Sequence, residues 1–126
     1  PERLFHNKTK ISEFIIDETQ IKVGSEYIWL WVAIESETTH ILGISISKEQ
    51  NMFVAHKRFL FNVVKDYGEH PVSTDGCTWY PQSCKFLKIN HHLHSSLKKN
   101  IIERKFSILK TEQNVLMTIF HVKKEV

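Results

Sequence analysis

Apolar positions recur first with a period of two and later with a helical period. Residues 13–23, which include "FIIDETQIKV", read as a β-strand. Tyr27–Glu35, "YIWLWVAIE", reads as a second and strongly apolar strand. Trp29 and Trp31 alternate there with Ile28 and Leu30, so at least one indole belongs in the core. Gly24-Ser25 between the two is a turn signal and predicts a hairpin. His40–Ser47, "HILGISIS", alternates again, with Glu37-Thr38-Thr39 as the connection. Three such strands with short connections predict an antiparallel meander. The period then lengthens. Between Asn51 and Tyr67, Phe53, Ala55, Phe59, Leu60, Val63 and Val64 fall at helical spacing, and Gly68 is a stop signal. His70–Gly76 reads as a short strand ending in Asp75-Gly76. Thr78–Leu87 reads as a short helix started near Pro81. Lys88–Ser96 reads as a strand or extended segment running into a polar loop. From Lys99 the pattern is helical again, with Ile101, Ile102, Phe106, Ile108 and Leu109 flanking Glu103.

The order β-β-β-α-β-α-β-α predicts an α/β fold in which helices pack on a five-stranded mixed sheet. It is the order of the ribonuclease-H-like fold. In that fold the places of Asp17 on the first strand, Asp75 after the fourth and Glu103 on the last helix converge. Such convergence offers a reason for acids inside an apolar strand. A buried carboxylate is costly unless it is paired, hydrogen-bonded or bound to a metal. A strand end or a solvent-facing edge would also accommodate Asp17-Glu18. Clustered carboxylates suit a hard divalent cation such as Mg²⁺ or Mn²⁺, and two such ions about 4 Å apart support phosphoryl transfer. Glu18 faces the opposite side of the strand from Asp17. It therefore reads as a turn support or the partner of a basic neighbour rather than a third ligand.

A chain of 126 residues supports one domain with a real core. The net charge of +3 and pI near 8.9 permit nucleic-acid binding. Cys77 and Cys84 form no disulfide framework, which fits a reducing cytosol better than secretion. No apolar run approaches a membrane span. Cys77, Cys84, His91, His92 and His94 lack paired zinc-ligand spacing, so packing is expected of the thiols. Trp79 and Tyr80 could stack on a base or pack in the core.

Spacing alone is a weak signal for the three acids; the local words carry more. "IDETQIKVGSEYIWLWVAIE", "STDGCTWYPQSCKFL", "HHLHSS" and "NIIERKFSILK" resemble the DDE transposases of bacterial and archaeal insertion sequences, an archaeal branch most of all. The resemblance implies a ribonuclease-H-like catalytic domain whose catalytic and metal-holding acids are Asp17, Asp75 and Glu103. It implies two Mg²⁺ or Mn²⁺ ions and cleavage and joining of DNA. The implied partners are element-end and target DNA and a second copy of the chain in a homodimer. Contacts to DNA are expected from Lys48, His94, Lys98, Lys99, Arg104, Lys105 and Lys110. A solvated helix face is the other reading of Lys98, Lys99, Arg104, Lys105 and Lys110, and the DNA patch is favoured only because Glu103 lies among them. Relatives usually carry Arg where this chain has Gln50, so one bidentate phosphate contact is expected to be lost. The family's continuation after Lys110 differs from the sequence here. Deleting one base from a nucleotide string that encodes that continuation reproduces Leu109 through Lys124. The expected organisation is a basic arm over residues 1–12, the catalytic core over 13–110 and a frameshifted tail over 111–126. The family's DNA-binding helix-turn-helix, which precedes the core, is absent from this sequence. The chain is therefore expected to be a decayed or truncated transposase catalytic domain; a non-catalytic DNA-binding or dimerising remnant, or a nuclease of the same fold, is the alternative.

Overall fold

The computed structural model describes residues 10–51, 58–76 and 79–111. Its strands are β1 (Phe14–Val23), β2 (Glu26–Glu35), β3 (Ile41–Ser47), β4 (Val72–Thr74) and β5 (His91–Leu93). Its helices are α1 (Phe61–Tyr67), α2 (Trp79–Phe86) and α3 (Ser96–Leu109). The predicted order of elements is therefore present. The sheet runs β3-β2-β1-β4-β5. β1, β2 and β3 pair antiparallel, and β4 and β5 run parallel to β1.

The β1–β2 hairpin closes through two residues, with Val23 opposite Glu26. Gly24 takes φ +65°, which a two-residue hairpin turn needs at its first central position. The alternation along β1 and β2 then sorts the core into two faces. On one, Phe14, Ile16, Trp31, Ala33 and Val72 pack under Phe59, Leu60, Val63, Tyr80 and Cys84. Trp31 is fully buried, and its Nε1 donates to Ser47 Oγ at 2.9 Å. On the other, Ile15, Ile21, Leu30, Val32 and Ile34 pack under Ile101 and Ile102 of α3. Helices thus cover both faces, and α3 lies on the Ile15 side of β1.

Three boundaries differ from expectation. The first helix ends at Tyr67 with Gly68 at φ +89°, as its sequence predicts, and its described α-helical part begins only at Phe61. Residues 52–57 of the predicted helix lie outside the described residues, as do the arm over 1–9 and all but Thr111 of the expected tail. The last helix begins at Ser96, earlier than the apolar spacing suggests. Ser95 caps it by accepting from Lys98 N at 3.3 Å, so the supposed polar loop is a helix start. β4 is three residues long, because its pairing with β1 is limited to Phe14↔Val72 and Ile15↔Ser73.

One buried acid is structural. Glu35 is completely buried at the end of β2. Its carboxylate accepts from the backbone N–H of Ser12 at 3.0 Å, Glu37 at 2.9 Å and Thr38 at 2.7 Å. Burial works to raise its pKa, but the backbone N–H groups outweigh that and hold it below the usual range. Its stabilising contribution is therefore present above the ordinary glutamate pKa and is lost as pH falls through the lowered one. Glu35→Ala is expected to cost about 2–4 kcal/mol at pH 7, measured by urea unfolding. A loss below about 0.5 kcal/mol, the level of an ordinary surface substitution, would sink this account of the β2–β3 turn.

Candidate active site

β1 and β4 are parallel and in step, so the positions three residues beyond Phe14 and Val72 come level with each other. Those positions are Asp17 and Asp75. Asp17 sits on β1 where its pairing with β4 has ended, and Asp75 follows β4 directly. Ligands of parallel sheets collect at the carboxyl ends of the strands. Gly76 turns the chain away with φ +87°.

One oxygen each from Asp17, Glu18 and Asp75 lies within 4.8 Å of the others. Glu18 thus joins the cluster, contrary to the expectation from strand alternation. Its backbone does face away: Tyr80 Oη, on the α2 side, donates to Glu18 Oε1 at 2.6 Å. Gln50 Nε2 donates to Glu18 Oε2 at 2.6 Å. The side chain is long enough to hold its carboxylate beside the cluster while meeting both donors. Gln50 is thus a neutral partner of Glu18.

The electrostatics fit a site built for a cation. Asp17 has its pKa raised from 3.8 to about 7, first by burial and then by the charges of Asp75 and Glu18, while the Glu18 N–H opposes the rise. That N–H donates to Asp17 Oδ1 at 2.8 Å. Glu18 is also raised, by burial first and Asp75 afterwards, against the hydrogen bonds from Tyr80 and Gln50. An oxygen-only donor set with repelling charges fits a hard divalent cation.

The remaining expected site residues divide. Glu103 lies on α3, whose Ile101 and Ile102 seat it against the Asp17 side of the sheet. Glu103 itself is exposed, in a shallow depression with Asn100, Arg104 and Ser107, and is not a member of the carboxylate cluster. Lys48, Lys99, Arg104 and Lys110 are exposed and Lys105 is half-buried. Lys98 is engaged: its Nζ pairs with Glu13 Oε1, and His92 Nε2 lies 3.6 Å from Glu13 Oε2. His94 is not at the surface as a phosphate contact would require. It is buried, and its Nδ1 lies 2.6 Å from Ser73 Oγ. Burial lowers its pKa, helped by Lys98 and Lys99 and opposed by Asp75 and Glu13. Tyr80 is fully buried, as one of its two expected roles required, and the Trp79 side chain lies outside the described residues, as does Cys77. Cys84 is a core thiol pushed up to about 11 by burial.

The mixed five-stranded sheet carries Asp17 where β1 parts from β4 and Asp75 directly after β4. The structure is similar to the catalytic core domain of HTLV-2 integrase in complex with magnesium, with TM-score 0.65 and 17% identity, over 82% of this chain and 69% of that one. It is also similar to a chain of the simian T-cell lymphotropic virus intasome, with TM-score 0.67 and 20% identity, over 79% of this chain and 38% of that one. These likenesses establish the ribonuclease-H-like fold. The family model described as "DDE domain" matches residues 11–125, and the chain belongs to this family of DDE transposase domains. An uncharacterized protein of Methanocaldococcus jannaschii is 33% identical over 106 residues, which are 83% of this chain and 49% of that protein. The chain thus spans about half the length of this curated relative. No helix among the described residues is long and apolar enough to cross a membrane.

Proposed function

We propose that this DDE domain cuts and joins DNA by metal-dependent phosphoryl transfer, with Asp17 and Asp75 holding Mg²⁺ or Mn²⁺ and Glu103 completing the site. The observation that carries this reading is the convergence of Asp17, on β1 beyond its pairing with β4, and Asp75, which follows β4 directly. Two bound ions would activate the attacking oxygen and stabilise the leaving one. The protein's part is to hold carboxylate oxygens rigidly and to orient the DNA. Asp17 is fixed by its strand and by the Glu18 N–H. Glu18 adds negative charge beside both aspartates. Lys48, Lys99, Arg104, Lys105 and Lys110 supply the charge for phosphate contacts. Lys98 contributes less, because Glu13 holds it. The DNA is the ends of an insertion element and a target. Assembly of more than one copy, proposed here as a homodimer, is supported by the trimeric and dimeric forms of the HTLV-2 integrase core, each at 17% identity. The lysines permit a second, purely DNA-binding role for a decayed and frameshifted copy, and the exposed position of Glu103 outside the acidic cluster favours it.

Nicking of supercoiled plasmid in Mn²⁺ separates the two. The catalytic reading expects nicking that falls by at least about 10²-fold in Asp75→Asn. Salt-sensitive DNA binding with no nicking would favour the remnant, and nicking unaffected by Asp75→Asn would remove Asp75 from the site.

A further inference from the structure

The buried Nε2 of His94 has no hydrogen-bond partner among the described residues. Its ring is held from the other side by Ser73, which is completely buried on β4. The pairing of β4 with β5 fixes the spacing of the two, and His94 N donates to Thr74 O at 2.9 Å just beyond the strand end. The free nitrogen faces Asp17 Oδ2 at 3.9 Å. Asp17 Oδ1 is already occupied by the Glu18 N–H.

We propose that Ser73 and His94 are positioning residues for Asp17: Ser73 Oγ donates to Nδ1, the imidazole proton resides on Nε2, and that N–H is held toward Asp17 Oδ2. The proposal rests on the reading of Asp17 as a metal-holding carboxylate. It assigns a neutral imidazole with one proton, so no charge is buried in the relay. With Asp17 ionised, the opposite tautomer would aim a nitrogen lone pair at the carboxylate and leave two acceptors facing each other. At 3.9 Å the contact is longer than a hydrogen bond. A modest turn of the ionised Asp17 side chain closes it and gives a buried donor its acceptor. With Oδ1 held by Glu18 N–H and Oδ2 by His94, the carboxylate plane is fixed on both sides. Outer partners of this kind orient a ligand and raise metal affinity.

The test reads the tautomer and the metal separately. Long-range ¹⁵N–¹H correlation spectra of the ¹⁵N-labelled protein at about pH 9, above the pKa of about 7 at Asp17, are expected to show His94 with its proton on Nε2, and a mixture of tautomers in Ser73→Ala. Mn²⁺ affinity by calorimetry is expected to fall roughly tenfold to a hundredfold in His94→Leu. His94→Gln, which can place an amide N–H where Nε2 was, is expected to restore most of it. A proton on Nδ1 in the wild type would overturn the proposal, and this result requires no variant to fold. So would wild-type affinity in a folded His94→Leu protein while Asp17→Asn and Asp75→Asn lose binding. Retained binding in both aspartate variants would instead overturn the metal site itself, and the tautomer would still report on the relay.

Discussion

Asp17→Asn is expected to be more stable than the wild type at pH 8 without metal, and to gain nothing from Mn²⁺. Asp17 is a buried acid whose pKa is raised to about 7 from 3.8. Below pH 3.8 it is protonated folded and unfolded, so it costs nothing. As pH rises from there, the unfolded chain releases the proton while the folded chain keeps it, and stability falls. Above pH 7 both states are ionised and the loss has levelled off at about 4 kcal/mol. Glu18 is shifted in the same direction and adds to the trend. Asparagine has nearly the same shape and no charge, so the variant escapes the Asp17 part of this loss. Mn²⁺ acts oppositely on the two proteins. In the wild type it binds the folded state alone and restores about 2.7 kcal/mol at a hundred times its Kd. Binding must displace a proton whose pKa is about 7, so affinity should rise about tenfold between pH 6 and pH 8. Urea unfolding of both proteins at pH 5 and pH 8, with and without Mn²⁺, measures every part. A wild type whose metal-free stability is flat across this range, or a variant that keeps the Mn²⁺ gain, would show that Asp17 is not the strained carboxylate of a metal site.

The sequence made the order of elements legible because each element here has a clean period. β1 and β2 alternate, and their alternate residues do pack on opposite faces. Asp17 and Asp75 were legible as partners through the resemblance, and the parallel step of β1 and β4 supplies the physical reason. What stayed hidden depended on side-chain reach and on single hydrogen bonds. Alternation correctly turns Glu18 away from Asp17, but it cannot show that a glutamate held by Tyr80 and Gln50 stays beside the cluster. Of the histidines of "HHLHSS", His94 was expected to contact DNA. Their separation into an exposed His92 and a buried His94 follows from which strand neighbour each meets, and β5 is only three residues long. The early start of α3 did leave a signal, Ser95 before Lys98, which the apolar spacing overrode. Lys98 looked like a free cation because its partner, Glu13, lies 85 positions away in sequence and pairs with it only across the folded sheet.

Glu103→Gln is expected to lower Mn²⁺-dependent DNA nicking by about 10²–10³-fold while leaving the fold and most of its Mn²⁺ affinity in place. Glu18→Gln is expected to do the reverse, with weaker metal binding and nicking that survives at saturating Mn²⁺. The two glutamates belong to different sides of the sheet. Glu18 belongs to the Tyr80 side of β1, and both of its oxygens already accept short hydrogen bonds. Its charge draws a cation toward Asp17 and Asp75, and its oxygens are committed elsewhere. Glu103 belongs to α3, which packs on the Asp17 side through Ile101 and Ile102. Its exposed side chain is not tied into the acidic cluster. Without a cation, Asp17 and Asp75 repel a third carboxylate; a bound cation reverses that sign and gives Glu103 a reason to turn inward. Its contribution would then arise in the reacting complex rather than in the resting protein, which is the pattern of a loss in rate with affinity kept. Nicking assays and calorimetry on the two variants separate these roles. Abolition of nicking by Glu18→Gln at saturating Mn²⁺, with Glu103→Gln active, would transfer the third position of the site to Glu18 and leave α3 with DNA contacts alone.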